Sequence, residues 1–214
     1  QYGPYVSVGH TASVSFSPDG ELLAEGSDYY LKIWRVLDNG RIINYREIDL
    51  SKYNSASIFD VAISPDGKMV ATALSSGIGV WNLSTGRRVF YSATESGFTF
   101  YNSLAWSSDS STIAASSNEK GAELWSIKTG DSLMTLNNPS GSFSSLDWSP
   151  DGKKLGVGAD EGIAYVFDTY NGTVFNNFGS GYELNSIAFA PDNQTLSLGY
   201  GDRTAQIWNL DGNL

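Results

Sequence analysis

The chain has 214 residues, 41% of them hydrophobic and 13% aromatic, and its 23 acidic and 13 basic side chains leave a net charge of −10. This composition can fill the core of one globular domain, whereas the negative charge disfavours nucleic-acid binding, which depends on clustered Lys and Arg. With no cysteine and one histidine, the sequence excludes disulfides and thiol catalysis and leaves little for a transition-metal site or a general base. We therefore expect no cofactor and no metal.

A short turn motif recurs five times, each time followed about 15 residues later by an aromatic residue that closes a β-type run. The turns are Ser17–Gly20, Ser64–Gly67, Ser107–Ser110, Ser149–Gly152 and Ala190–Asn193, and the aromatic residues are Trp34, Trp81, Trp125, Phe167 and Trp208. Successive turn aspartates are 47, 43, 42 and 41 residues apart, and successive aromatics 47, 44, 42 and 41. A period of about 40–45 residues with short strands is typical of a β-propeller blade.

Each repeat divides into strands around its turn. The third and fifth residues before the turn aspartate are apolar in every repeat, as Phe16 and Val14 are in the first, which predicts a strand with one face in the core between blades. Second strands are predicted at Leu22–Glu25, Met69–Thr72, Thr112–Ala115, Lys154–Val157 and Thr195–Leu198. Outer strands are predicted near Ile42–Ile48, Arg88–Ser92, Ser132–Leu136 and Thr173–Phe178.

The fifth repeat lacks an outer strand of its own, because only six residues follow Trp208. The unassigned run Tyr5–Val8 supplies this strand if it pairs antiparallel with Ala205–Trp208, and the ring then closes without a long exposed edge. We therefore predict an all-β fold, a closed propeller of five four-stranded blades that spans residues 1–214 as one monomeric domain. The chain begins at Gln1 without an initiator Met, which predicts a segment excised or trimmed from a longer protein.

These residues resemble the WD-repeat β-propeller family. The resemblance rests on Gly9-His10, on the Ser-Pro-Asp-Gly turns, and on the pairs Ile33-Trp34, Val80-Trp81, Leu124-Trp125, Val166-Phe167 and Ile207-Trp208. The Asp of the family's signature dipeptide survives only as Asp168, and Asp28 and Asp202 fit the family's structural hairpin Asp. The resemblance implies a non-enzymatic scaffold for protein or peptide interactions, and the lack of a visible signal peptide or membrane span predicts a cytoplasmic location.

Function is expected in the hairpin loops and in the loops that enter each first strand, where the five copies differ. These loops carry seven acids (Asp28, Glu95, Glu119, Asp160, Glu161, Glu183 and Asp202) against three bases (Lys52, Lys120 and Arg203). Acidic groups beside exposed aromatics suit a Lys- or Arg-bearing peptide. The predicted contacts are Tyr53, Tyr101, Asn102, Tyr182 and Asn185, with Asp28 and Asp202 as electrostatic support or turn structure. Alternatively, Phe59, Phe143 and Tyr101 plug the top of the core.

Two carbohydrate-directed alternatives stay open at this point. Asp60 and Asp147 fall on innermost strands, where a five-bladed glycoside hydrolase holds its acid and base, but they lie at the sixth and the fourth position before the turn aspartate and are expected to hydrogen-bond between blades. A lectin would need an exposed Trp for stacking. The repeat-end aromatics, with Trp106 and Trp148, occupy core-type positions, which favours a core role over a sugar site.

Overall fold

The computed structural model describes residues 11–53, 57–93, 100–119, 121–137 and 143–211. Within these ranges the chain forms 19 strands and no helix. The chain divides into two compact units, residues 1–100 and residues 101–214. We call them unit 1 and unit 2 and describe each by itself.

Unit 1 contains two antiparallel four-stranded sheets whose strands follow chain order. The first sheet consists of β1 (Thr11–Phe16), β2 (Leu22–Ser27), β3 (Tyr30–Val36) and β4 (Ile42–Asp49). The second consists of β5 (Ile58–Ile63), β6 (Met69–Leu74), β7 (Gly77–Asn82) and β8 (Arg88–Ala93). Each strand pairs with its sequence neighbours, which is the meander expected of one repeat.

Unit 2 contains two further four-stranded meanders and one meander of three strands among the described residues. The third sheet consists of β9 (Tyr101–Trp106), β10 (Thr112–Ser117), β11 (Gly121–Ser126) and β12 (Ser132–Leu136). The fourth consists of β13 (Phe143–Trp148), β14 (Lys154–Ala159), β15 (Ile163–Asp168) and β16 (Val174–Gly179). The fifth consists of β17 (Leu184–Phe189), β18 (Thr195–Tyr200) and β19 (Ala205–Asn209). The predicted closing strand Tyr5–Val8 lies outside the described residues.

The turns that join first and second strands use one hydrogen-bond set. In the first sheet the Ser17 hydroxyl donates to Asp19 at 2.6 Å, and Ser17 Oγ accepts the backbone N–H of Leu22 at 2.8 Å. The Ser64, Ser107 and Ser149 hydroxyls form the same bonds with Asp66, Asp109 and Asp151 and with the residue five positions on. Local side-chain bonds of this kind fix a turn. All five second strands begin at the predicted residue, including the fifth, whose turn has Ala190 in place of the serine.

The sheets are held together by aromatic and aliphatic side chains at the repeat positions. Trp34, Trp81, Trp125 and Phe167 are buried. The Trp34 indole N–H donates to the buried Glu25 carboxyl at 2.7 Å. Trp81 lies against the Gly79 backbone, where a Cβ on residue 79 would come within 1.8 Å of the indole ring. The predicted core role of these four aromatics is confirmed.

Inside each unit, adjacent sheets approach closely through small residues. A Cβ on Gly26 would lie 2.5 Å from Ile58, and one on Gly156 would lie 2.8 Å from Ile187. Because Gly26 pairs with Ser13 across the first sheet, the second sheet lies against the face that carries Ser13. Close sheet packing thus needs small side chains on this face.

The pleat places Val14 and Phe16 on the opposite face of the first sheet. At the β1 edge of this face the two side chains are 57% and 59% exposed, although Trp34 on the same face is buried. The predicted core position is therefore wrong for Val14 and Phe16. It is confirmed at the equivalent positions of the second, third and fourth sheets, which are Val61, Ile63, Leu104, Trp106, Leu146 and Trp148.

Candidate functional site

The candidate site lies at one end of the strands. We call it the loop end, because it carries the hairpins β2–β3, β6–β7, β10–β11, β14–β15 and β18–β19. We call the other end, which carries the serine and aspartate turns, the turn end. The loops differ from sheet to sheet in sequence, so each unit presents its own set of side chains.

In unit 1 the two predicted site residues serve local structure. Asp28 adopts a positive φ of 41° in the β2–β3 hairpin, and its carbonyl accepts the N–H of Ile58 at 3.2 Å. Tyr53 is half-buried, with its ring 4.7 Å from Tyr91 and the Lys52 ammonium 5.4 Å from its centroid. Because its ring already meets a cation of the chain itself, Tyr53 offers a poor aromatic platform for a basic partner.

Tyr101 opens the third sheet and is only 3% exposed. Its hydroxyl donates a hydrogen bond to the buried carboxyl of Glu123 on β11. Burial, and then this contact with Glu123, raise the pKa of Tyr101 above its usual value. Tyr101 and Phe143, which is fully buried, therefore agree with the alternative of a core plug. Phe59 does not, because it is exposed and stacks on Phe100 at 5.5 Å.

Neighbouring first strands of unit 2 are linked at the loop end by polar side chains. The Asn102 amide donates to the Phe143 carbonyl at 3.4 Å, and the Ser144 hydroxyl donates to the Leu184 carbonyl at 2.8 Å. Asn102 therefore contributes to the spacing between the third and fourth sheets. Its side chain is half-buried, so part of it still reaches the surface.

Tyr182, Asn185 and Asp202 form the exposed part of the candidate site. Tyr182 is 55% exposed, and its backbone packs on Gly162, where a Cβ would lie 2.1 Å from the Tyr182 carbonyl oxygen. Asn185 is exposed and reaches the β18–β19 hairpin, with Nδ2 at 3.8 Å from a Cβ built on Gly201. Asp202 accepts the Thr204 hydroxyl at 2.6 Å and the Thr204 N–H at 2.9 Å. Tyr182 and Asn185 are thus both exposed at the loop end, and Asn185 lies beside the Asp202 turn.

The two innermost carboxylates bind within their own units. Asp60 accepts the Ser13 hydroxyl of the first sheet at 2.6 Å. Asp147 accepts the Phe189 N–H of the fifth sheet at 2.6 Å, and the pKa of Asp147 is raised because burial outweighs this and a second backbone hydrogen bond. Both contacts join adjacent sheets, as the sequence predicted, and agree with a structural role rather than an acid and base pair.

Sugar stacking and metal binding find little support among the described residues. All six tryptophans are buried or half-buried, so none offers a broad exposed face to a sugar. No group of three or more His, Asp or Glu side chains that could hold a metal ion occurs within the described ranges. The same ranges contain no helix long and apolar enough to cross a bilayer.

Charge is distributed unevenly along the chain. Residues 101–214 carry 13 acidic and five basic side chains, whereas residues 1–100 carry ten acidic and eight basic ones. At the loop end of unit 2 the described charged residues include Glu119, Asp160, Glu161, Glu183 and Asp202 against Arg203. The exposed Tyr182 and Asn185 therefore lie in the more acidic unit.

Comparison with known proteins places this repeat architecture in a family. A family model described as "WD domain, G-beta repeat" matches residues 3–35, 49–82, 130–168 and 172–209, more than half of the chain. The chain belongs to the WD-repeat family. The model does not match residues 83–129, which include most of the third sheet, although this sheet has the same four-stranded meander as its neighbours.

Relatives extend the similarity over most of the chain. A protein described as "Pre-mRNA-processing factor 19 homolog 2" from Arabidopsis thaliana is 24% identical over 92% of this chain and 38% of its own length. A "Guanine nucleotide-binding protein subunit beta" from Solanum tuberosum is 23% identical over 95% of this chain and 57% of its own length. "WD repeat-containing protein SL1-17" from Schistosoma mansoni is 28% identical over 75% of this chain and 51% of its own length. The chain thus spans about half the length of these relatives.

Sequence reasoning missed the buried acid Glu123, which bonds Tyr101. Glu123 lies between Ala122 and Leu124 on β11 and is buried beneath Tyr101. A signal was available, because an acid inside an otherwise apolar strand indicates a buried partner for that carboxyl group. The identity of the partner was not available, because Tyr101 lies two strands away in the sheet.

Proposed function

We propose that this WD-repeat chain is a non-enzymatic scaffold that binds a protein or peptide bearing Lys or Arg at the loop end of unit 2. The observation that carries the proposal is the exposed pair Tyr182 and Asn185 beside the Asp202 turn, within an acidic unit. An exposed tyrosine offers a cation a π face, and surrounding carboxylates attract it at long range. The matching family model, which describes a structural repeat and no catalytic domain, supports a scaffold.

Within this proposal the predicted site residues have different roles. Tyr182 and Asn185 make the direct contacts. Asn102 contributes through the part of its side chain that reaches the surface, and the buried Tyr101 holds the start of β9 through Glu123. Asp202 supplies charge and turn structure, while Asp28 and Tyr53 of unit 1 act on local structure.

The test uses a random-peptide phage library panned against the purified chain. We expect the selected peptides to be enriched in Lys and Arg and to bind less tightly as salt is raised. Replacing both Tyr182 and Asn185 with alanine should weaken their binding by about 30-fold, which corresponds to roughly 2 kcal/mol. The matched control is Tyr170→Ala, because Tyr170 is 92% exposed at the turn end of the same unit. Selected peptides that bind the double variant and the chain itself equally would contradict the site.

We further propose that Tyr5–Val8 adds a fourth strand to the fifth sheet, which would complete a closed ring of five blades. The support is the three-stranded order of that sheet among the described residues, against four strands in each of the others. Deleting residues 1–10 should then remove amide-exchange protection from β19. Unchanged protection in β19 would contradict the added strand.

A further inference from the structure

A cleft of about 300 Å³ opens at the turn end of unit 2, between the third and fourth sheets. Its walls include the apolar side chains of Leu124, Met134 and Trp148 and the carboxylates of Asp109 and Asp151. The cleft lies at the opposite strand ends from Tyr182 and Asn185 and is therefore distinct from the loop-end site proposed above.

One position on the outer strand that lines the cleft differs in character between the sheets. Met134 on β12 pairs with Leu124 on β11, one residue before Trp125, the aromatic residue that ends this repeat. The first sheet has Arg46 at this position, paired with Ile33, and the fourth sheet has Asn176, paired with Val166. The three side chains can therefore be compared directly.

In unit 1 an arginine occupies the corresponding gap between sheets. Arg46 donates from Nη2 to the Ser84 carbonyl at 2.6 Å and from Nη1 to the Thr85 carbonyl at 3.1 Å. Both carbonyls belong to the β7–β8 turn of the next sheet. The fit is close, because a Cβ on Gly86 would lie 2.8 Å from the Arg46 Cδ. Asn176 makes the analogous bond in unit 2, donating to the Leu210 carbonyl at 3.0 Å.

Met134 reaches the equivalent turn but has no hydrogen to donate. Its sulfur would lie 2.6 Å from a Cβ on Gly172, which is the counterpart of Gly86 in the β15–β16 turn. A thioether is at best a weak acceptor, so Met134 cannot bond the turn carbonyls as Arg46 and Asn176 do. Its unbranched apolar chain instead leaves the cleft open and lines one side of it.

The charge of the cleft favours a cation. The Ser107 hydroxyl, and then the Ser111 N–H and hydroxyl, donate hydrogen bonds to Asp109 that hold the pKa of this carboxyl below its usual range. Asp109 is therefore ionised at neutral pH, and it makes no ion pair with any described residue. Asp151 is partly neutralised by Lys153, whose ammonium lies 3.7 Å away. Asp109 thus supplies the stronger attraction.

We propose that this cleft binds an arginine side chain of a partner polypeptide, in the manner in which Arg46 fills the equivalent gap in unit 1. The guanidinium donates to carbonyls of the β15–β16 turn and pairs with Asp109. The aliphatic stem of the arginine packs on Leu124, Met134 and Trp148. A planar, multi-donor cation suits this combination of carbonyls and a carboxylate better than an ammonium does.

The first test is an NMR titration of the isotope-labelled chain with Nα-acetyl-arginine methylamide. We expect saturable amide shifts at Asp109, Ser111, Gly152 and Thr169. The citrulline analogue, which has nearly the same shape without the charge, should bind at least tenfold more weakly. Equal shifts from both compounds, or arginine-induced shifts elsewhere only, would overturn the proposal.

The second test exchanges the two residues. Met134→Arg should fill the cleft from within and abolish binding of the arginine compound, whereas the apolar control Met134→Leu should retain it. Arg46→Met should open a second cleft, so that new saturable shifts arise at Ser84 and Thr85. If Met134→Arg fails to fold, the variants Arg46→Met and Asp109→Asn test the proposal in its place. Asp109→Asn should weaken binding of the arginine compound at least tenfold. A folded Met134→Arg that still binds as the original chain does would overturn the proposal.

Failure of this cleft can be separated from failure of the loop-end site. The variant with alanine at Tyr182 and Asn185 should bind the arginine compound in the cleft with unchanged affinity. Loss of cleft binding in that variant would overturn the independence of the two sites.

Discussion

The turn end and the loop end of the strands are built on different plans. At the turn end, four of the five sheets repeat the same bonds between a buried serine, an aspartate two residues on and the strand that follows. At the loop end each sheet differs, as the Tyr101–Glu123 contact of the third sheet and the Ser144–Leu184 bond of the fourth illustrate. The repeated end therefore fixes where the first strands end and the second strands begin. At the variable end, one sheet can have a contact that its neighbours lack.

The largest effect is expected at the loop end. Tyr101→Phe removes the hydroxyl that donates to Glu123 and leaves a buried carboxyl without this donor, which should cost roughly 2–3 kcal/mol of unfolding free energy. The measurement is urea denaturation at pH 7. Tyr182→Phe is the control, because Tyr182 is exposed and should change stability little. A cost below that of the turn-end variant described next would reverse the order of the two ends.

Ser149→Ala tests the turn end. Ser149 is buried, and its hydroxyl bonds Asp151 and the backbone of Lys154. Removing it should cost about 2 kcal/mol, because the Lys154 N–H then lacks its acceptor. Thr204→Ala, which deletes an exposed hydroxyl bonded to Asp202 at the loop end, should cost less than about 0.5 kcal/mol. Equal costs in the two variants would remove the contrast.

The fifth turn offers the reverse substitution. Ala190 occupies the position that serine holds in the other four turns, while Asp192 already accepts the N–H groups of Gln194 and Thr195. Ala190→Ser should supply the missing hydroxyl and raise the unfolding free energy by about 1 kcal/mol. Thermal and urea unfolding measure this gain. A destabilised variant would mean that the fifth turn differs in backbone as well as in side chain.

The smallest effects are expected in the pH dependence of stability, which has opposite signs for the turn-end Asp19 and the buried loop-end Tyr101. The Ser17 hydroxyl, and then the Glu21 N–H, lower the pKa of Asp19. Because the unfolded pKa is near 3.9, this contribution is present above about pH 4 and is lost as pH falls through the folded value. The pKa of Tyr101 is raised instead, so its contribution is present below about pH 10 and is lost as pH rises beyond it.

Urea midpoints at pH 3, 7 and 10.5 separate these contributions. Asp19→Asn should reduce the loss of stability between pH 7 and 3, and Tyr101→Phe should reduce the loss between pH 7 and 10.5. Asp19→Asn could instead change the loss of stability between pH 7 and 10.5, or Tyr101→Phe the loss between pH 7 and 3. Either result would mean that acid sensitivity does not come from this turn or that alkali sensitivity does not come from the third sheet.

The strands were predictable from sequence because their limits are set locally at the turn end. Pro, Asp and Gly fix the turn, and β2, β6, β10, β14 and β18 all begin where expected. Their far ends extend two residues beyond the prediction, through residues such as Ser116 and Ser117. Such residues favour strands weakly on their own, but pairing with β11 keeps them in the sheet.

The side-chain environment at the loop end was not predictable in the same way. Tyr101 and Tyr182 both lie at or just before a first strand, yet one is buried and the other exposed. What separates them is an acid on another strand for Tyr101 and the close packing of the Tyr182 backbone on Gly162. These contacts join segments that are distant in sequence. The spacing of the repeats predicts the strands but not which side chains of different strands meet.

The contact of Trp81 with Gly79 has a consequence for how this chain can change over generations. A side chain at position 79 is sterically blocked until the indole has been replaced, because its Cβ would come within 1.8 Å of the ring. Replacing Trp81 first leaves a cavity that costs several kcal/mol. Each order of substitution therefore passes through a destabilised intermediate. Descendants that keep this sheet should inherit the glycine and the tryptophan together, even where the adjoining loops diverge freely.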